Sequence, residues 1–170
     1  MRPLQAWARS SRIRFFISYL HPGEHVLEVG PGEGWFRKAI AAEMSTSYLT
    51  IDTHAPANIA GDVRNWRQHG LEAGSFDVIV AFEVVEHTPC LPECRELLKP
   101  GGRLLITTPM PQFDWLLKLF ENLRLIQART SEHSYLTWVR SVPGFILEKA
   151  RYPFGVGQWV VLRKIDPTTK

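Results

Sequence analysis

No stretch of this sequence approaches the roughly 20 consecutive apolar residues that a membrane-spanning helix needs. The first 20 residues interleave arginine with apolar side chains and lack the clean apolar core of a secretory signal. Cysteine is nearly missing: Cys90 and Cys94 are the only two. Four apart in a predicted helix, they point the same way, which makes a disulfide awkward. Two thiols alone also make a poor metal site. They read as half-buried helix residues of a reducing, cytoplasmic protein. There is no internal repeat, no linker and no low-complexity tract, and the 12 glycines and 12 prolines are scattered as turn residues. A composition 45% hydrophobic and 22% charged excludes a disordered tail, a collagen and a coiled coil. The 170 residues suit one domain, with a helical extension at 1–22 and a core at 23–165, and are too few for a two-domain dehydrogenase.

Acidic residues are absent from the first 20 positions, where Arg2, Arg9, Arg12 and Arg14 stand alone. The whole chain balances 20 Lys and Arg against 17 Asp and Glu, so the remainder is close to neutral. Such a segment fits a solvated helix face, with nucleic acid or an acidic membrane surface as alternatives. A near-neutral body lacks the broad basic face of a committed nucleic-acid binder.

Elements follow from periodicity. Residues 4–20 read as a helix whose stripe is Ile13, Phe16, Ile17 and Leu20, stopped by His21-Pro22-Gly23. Strands are expected at His25–Val29, Ser47–Ile51, Asn58–Ala60, Phe76–Phe82 and Arg103–Thr107, with a last pair at Gly144–Ala150 and Gln158–Lys164. Helices are expected at Trp35–Met44, Pro92–Leu98, 110–126 and 134–142. Strands alternating with helices predict an α/β fold, an open, mainly parallel sheet. The loop around Pro153–Gly157 is too short for a parallel crossover, so the last two strands must be antiparallel.

Ligands in such sheets bind at the carboxyl ends of the strands. Gly30, Gly32 and Gly34 follow the first strand, where glycine lets the backbone approach a ligand closely. The helix after them points its N-terminus at the same spot. A dinucleotide fingerprint would place a third glycine at position 35, which is Trp35. Instead an acid, Glu28, precedes Gly30.

The segment Glu28-Val29-Gly30-Pro31-Gly32-Glu33-Gly34 resembles the first motif of class I S-adenosylmethionine (SAM)-dependent methyltransferases. FDVIVAFEVVEHT at 76–88 and LLKPGGRLLITTP at 97–109 resemble that family's fourth- and fifth-strand motifs, and the match is nearest the small type 11 branch. The resemblance implies a Rossmann-like methyltransferase fold, a seven-stranded, mostly parallel sheet with an antiparallel last strand and helices on both faces. By the same resemblance Glu28, Gly30, Gly32 and Gly34 flank the methionine part of SAM. Asp52 and Thr53 meet the ribose, Asp62 and Val63 the adenine, and Ala81 and Phe82 lie beneath the sulfonium. Trp66 either lies over the adenine or is a buried structural residue. Methyl transfer asks mainly for alignment and exclusion of water.

Glu83, Glu86 and His87 follow the fourth strand, and by resemblance His133 returns to the same mouth. Glu83, Glu86, His87 and His133 are candidate ligands of a divalent metal, and His87 with His133 a candidate base pair. A local structural role for the same residues stays open. The stretch from His87 to Lys99 is about one helical turn shorter than the family pattern. Phe113, Trp115, Leu116, Leu117, Leu119 and Phe120, at helical spacing, suit core or lid packing better than a substrate box. The reading is a SAM-dependent methyltransferase, monomer or homodimer, moving a methyl group to a small molecule by direct in-line transfer. The alternatives are an RNA ribose O-methyltransferase with a metal at Glu-x-x-Glu-His, or a non-catalytic SAM-binding partner subunit.

Overall fold

Strands form where aliphatic residues run without polar alternation, as at Val78-Ile79-Val80, which suits a strand covered on both faces. The computed structural model describes residues 3–54, 56–110, 139 and 141–166. The expected helices at 110–126 and 134–142 fall almost wholly outside these residues, as do His133 and the 113–120 aromatic-aliphatic run.

The described elements are α1 (Pro3–Phe16), β1 (His25–Val29), α2 (Trp35–Glu43), β2 (Ser47–Asp52), β3 (Ile59–Ala60), β4 (Phe76–Phe82), α3 (Leu91–Leu97), β5 (Leu98–Pro109), β6 (Phe145–Arg151) and β7 (Gly157–Lys164). Among the described residues the strands make one seven-stranded sheet in the order β3-β2-β1-β4-β5-β7-β6. β1 pairs in parallel with β2 and β4, and β4 with β5. β7 runs antiparallel to both of its neighbours, as the short connection required. No helix among the described residues is long and apolar enough to cross a membrane.

Side-chain alternation splits the core in two. Leu27, Ile51, Ile79, Leu104, Ile106 and Leu162 face the side covered by α3 and by a 3-10 helix at Val63–His69. Val26, Val78, Val80, Leu105 and Val161 face α1 and α2, whose Phe16, Phe36 and Ile40 are fully buried. Helices therefore cover both faces of the sheet.

Four expectations are adjusted. The first helix ends at Phe16 and tightens into a 3-10 turn at Ile17–Tyr19, though Phe16 and Leu20 of the expected stripe are buried. The fifth strand begins at Leu98, which pairs with Phe76 before a register shift. Glycine is required in that irregularity, because a Cβ on Gly102 would lie 2.9 Å from the Asp77 carbonyl oxygen. The 3-10 helix at Val63–His69 was not anticipated; Asp62 starts it by accepting the Arg64 N–H at 2.9 Å. Cys90 and Cys94 are fully buried rather than half-buried, both as free thiols on the core side of α3.

Candidate functional site

The carboxyl ends of β1, β2 and β4 lie side by side, and each releases a turn. After β1, Gly30, Gly32 and Gly34 take φ of +66°, +53° and +64°, a region open to glycine at no steric cost. A Cβ on Gly30 would meet Val84 Cγ2 at 2.6 Å, whereas nothing lies within 4 Å of one on Gly32 or Gly34. The turn thus packs its first glycine against the β4 turn and leaves open space above the next two. Gly34 starts α2, whose first N–H groups face that space. A cavity of about 540 Å³ flanks the turn, lined by Gly32, Gly34, Lys38, Thr50 and Asn58 among others. It touches neither Asp52 nor Asp62, so it borders the outer side of the turn and not the strand ends.

At the end of β2, Asp52 accepts the His54 N–H at 2.9 Å, and its side chain is 21% exposed. Thr53 and His54 join through Oγ1 and Nδ1 at 3.0 Å. Asp62 is committed to Arg64, whose side-chain hydrogen bonds hold its carboxyl below the usual range. Val63 and Trp66 are buried in the core, and the Arg67 guanidinium lies 4.1 Å from the Trp66 ring centre. Trp66 is therefore a structural residue. Ala81 is fully buried, and Phe82 packs its ring against Phe16, Trp35 and Phe36 with centres 4.8, 5.9 and 4.9 Å away. Position 35, where a dinucleotide turn wants no side chain, is filled by a ring stacked on Phe82.

Glu28 faces α2 and is almost fully buried. The Tyr48 hydroxyl donates to its Oε2 at 3.0 Å. Burial outweighs that bond and pushes the Glu28 carboxyl up to about 7. Burial, together with the Glu28 charge, raises the Tyr48 hydroxyl as well.

The turn after β4 is built differently. Glu83 takes φ +55° without being glycine. Its N–H donates to the Thr107 carbonyl at 2.8 Å, and its Oε1 accepts both the Thr107 hydroxyl at 2.8 Å and the Arg12 guanidinium at 2.9 Å. Glu86 is fully buried, and neither of its oxygens has a hydrogen bond of ordinary geometry; Thr108 and Glu83 are its polar neighbours. Burial, and secondly the Glu83 charge, push its carboxyl up to about 9. His87 closes the turn through its N–H to the Val84 carbonyl at 2.9 Å.

Of the four candidate metal ligands, His133 lies outside the described residues. Among the described residues no three His, Cys, Asp or Glu side chains come together closely enough to hold an ion. A guanidinium occupies Glu83 where a cation would sit. The described donors do not fit a metal.

Arg12, Thr107, Thr108 and Tyr48 belong to the site and were not anticipated. The acid-free run of arginines was a signal for Arg12, since unpaired cations seek carboxylates. Nothing in the sequence marks Tyr48. Helix α1 lies across the edge: Arg9 reaches Glu33 in the glycine turn at 2.7 Å, while Arg12 reaches Glu83 in the β4 turn.

A family model described as a methyltransferase domain matches residues 5–142. The chain belongs to the methyltransferase-domain family. Its kind is class I, SAM-dependent and type 11-like. The ubiquinone biosynthesis O-methyltransferase of Coxiella burnetii (strain RSA 493 / Nine Mile phase I) is 32% identical over 102 residues, covering 51% of this chain and 44% of that protein. Among solved structures, the PH0226 protein of Pyrococcus horikoshii OT3 matches with TM-score 0.67 at 15% identity, over 94% of this chain and 91% of that one. The CurJ carbon methyltransferase matches with TM-score 0.60 at 20% identity, over 85% and 49%. The methyltransferase-domain chain spans about half or less of the length of such curated relatives.

Proposed function

We propose that this chain transfers a methyl group from SAM to a small-molecule acceptor by direct in-line displacement. The carrying observation is the glycine turn: three left-handed glycines, Gly30, Gly32 and Gly34, turn the chain at the end of β1 with open space around the last two, and the Asp52 carboxylate stands at the end of the next strand. Bound SAM supplies a methyl group on a sulfonium, a good leaving group. The backbone of Gly30–Gly34 admits the methionine part, and the first N–H groups of α2 favour its carboxylate. Asp52 with Thr53 accepts the ribose hydroxyls, and Asp62 with Val63 borders the adenine. The Ala81–Phe82 backbone forms the floor. Glu28 supports the turn from beneath through Tyr48 rather than projecting into the open space. Helix α1, tied to Glu33 and Glu83, covers the edge and excludes water. His87, with His133, is the proposed base for an acceptor that must lose a proton.

Two of the N-terminal arginines, Arg9 and Arg12, are used to dock α1 on the chain's own glutamates. That use favours the small-molecule acceptor over a nucleic acid. Residues 1–22 act as the cover of a single domain whose core is 23–165.

Calorimetry with SAM, its demethylated product and NAD tests the reading. Heat is expected with the first two and none with NAD. Asp52→Ala should weaken SAM binding by about 1.5–3 kcal/mol, the range for a hydrogen bond to a charged group. Tight NAD binding with no SAM heat overturns the proposal.

A further inference from the structure

The turn between β6 and β7 belongs to the same edge as the site. Gly157 pairs with Pro109 at the end of β5, and the Val156 carbonyl accepts the Met110 N–H at 2.8 Å. The turn is closed by the Val156 N–H donating to the Pro153 carbonyl at 3.2 Å. Its two central residues both have positive φ, Phe154 at +52° and Gly155 at +70°. The first central position of such a turn favours Asn, Asp or Gly. It holds Phe154, which is 76% exposed. Neither backbone preference nor burial accounts for a phenylalanine there, and strained backbone clusters at ligand clamps.

Trp7 of α1, 45% exposed, meets it with ring centres 5.4 Å apart and planes inclined by 47°. The last residue of β6, Arg151, lays its guanidinium 5.4 Å from the Trp159 ring centre. It has no carboxylate partner among the described residues, unlike Arg9 and Arg12. The one acid of β6, Glu148, is held between Arg103 and Arg163 at 3.0 Å each. This end of the edge thus offers exposed aromatic faces near a cation that no described carboxylate pairs.

We propose that Trp7, Phe154 and Arg151 form an outer subsite for the methyl acceptor, which takes a flat aromatic ring carrying an anionic group. The inference rests on the methyl-transfer reading. The ring stacks on or against Trp7 and Phe154. The planar fork of Arg151, oriented by Trp159, receives a carboxylate or phenolate. The strained turn holds Phe154 out from the edge, and α1 brings Trp7 to it, so the subsite exists only with the helix docked.

The test uses the full chain with three probes: 2-naphthoate, its neutral amide 2-naphthamide, and cyclohexanecarboxylate, which has the charge without the aromatic face. SAM binding is measured separately. Trp7→Ala and Phe154→Ala should each weaken 2-naphthoate by roughly fivefold or more. Arg151→Gln should weaken 2-naphthoate about tenfold while leaving 2-naphthamide within about twofold. Cyclohexanecarboxylate should bind more weakly than 2-naphthoate throughout. SAM affinity should stay within about twofold in each variant. Phe154→Asn suits the turn, so it should keep or raise the melting temperature while losing 2-naphthoate, which separates ligand loss from misfolding. Unchanged 2-naphthoate binding in all the variants overturns the subsite. So does a chain that binds SAM and no 2-naphthoate. The expected 2-naphthoate pattern without any SAM heat upholds the subsite and overturns the methyl-transfer reading instead.

Discussion

The turn after β1 and the turn after β4 both leave a buried strand through a residue in the left-handed region, Gly30 at φ +66° and Glu83 at φ +55°. In the first, glycine removes the steric cost, and the turn needs no side chain to hold it. In the second, a glutamate accepts a cost of about 1–2 kcal/mol, and Arg12 and Thr107 hold its carboxylate in place. One turn is set by backbone freedom, the other by side-chain partners brought from α1 and β5. A ligand cradle calls for the former, because a side chain would fill it. A rim that carries chemistry calls for the latter.

The largest expected effect breaks the first turn. Gly30→Ala adds left-handed strain of about 1–2 kcal/mol and drives a methyl group into Val84, for a total near 2–5 kcal/mol. Gly32→Ala, with open space around it, should cost only the strain. Paired urea melts of the two variants check this; equal losses would show that contact with the β4 turn does not matter.

The next effect concerns the β4 turn. Burial and the Glu83 charge raise the Glu86 carboxyl in the folded protein from its ordinary 4.5 to about 9. Between these the folded protein keeps a proton that the unfolded chain releases, so stability falls as pH rises. The slope is up to about 1.4 kcal/mol per pH unit from this group alone. Glu28, raised to about 7, adds the same sign at lower pH. Glu86→Gln removes the Glu86 part, so its stability advantage should grow between about pH 6 and about pH 8 by up to roughly 2.7 kcal/mol. Parallel melting curves across that range would mean Glu86 is ionised.

The smallest effect removes the pin. Arg12→Met should lower stability by about 0.5–1 kcal/mol, since the ion pair is partly exposed. That is a fall of roughly 1–4 °C in melting temperature for a domain of this size. The gap from wild type should shrink near 1 M salt, where the Debye length is ~3 Å. A gap insensitive to salt would assign the loss to packing.

The two turns also differ in how far sequence exposes them. Gly30, Gly32 and Gly34 after an aliphatic strand, with an acid two residues upstream, are a local pattern, and β1, β4 and the antiparallel β7 follow from equally local signals. The Glu83–Arg12–Thr107 cluster is not local, for its members meet only after the sheet forms. Glu28 shows the same limit. Its place beside the glycines is visible, but its bond to the Tyr48 hydroxyl is not, because the two residues meet only when β1 and β2 pair. The Leu98 start of β5 was hidden by the glycines at 101 and 102, which read as a turn and serve as an irregularity within the strand. The 3-10 helix after Asp62 lacks the apolar period that would announce it.

Helix α1 bears on how the protein is made. Phe16 is sealed against Phe82 and Trp159, residues that leave the ribosome long after it does. During synthesis the apolar side of α1 has no surface to rest on until β4, and finally β7, are in place. Its docking is a late event with a large sequence separation, the kind of contact that slows folding. Until then, a chain with β1, β2 and β4 already paired carries an unclosed aromatic surface at Phe36 and Phe82, where association between nascent copies would begin.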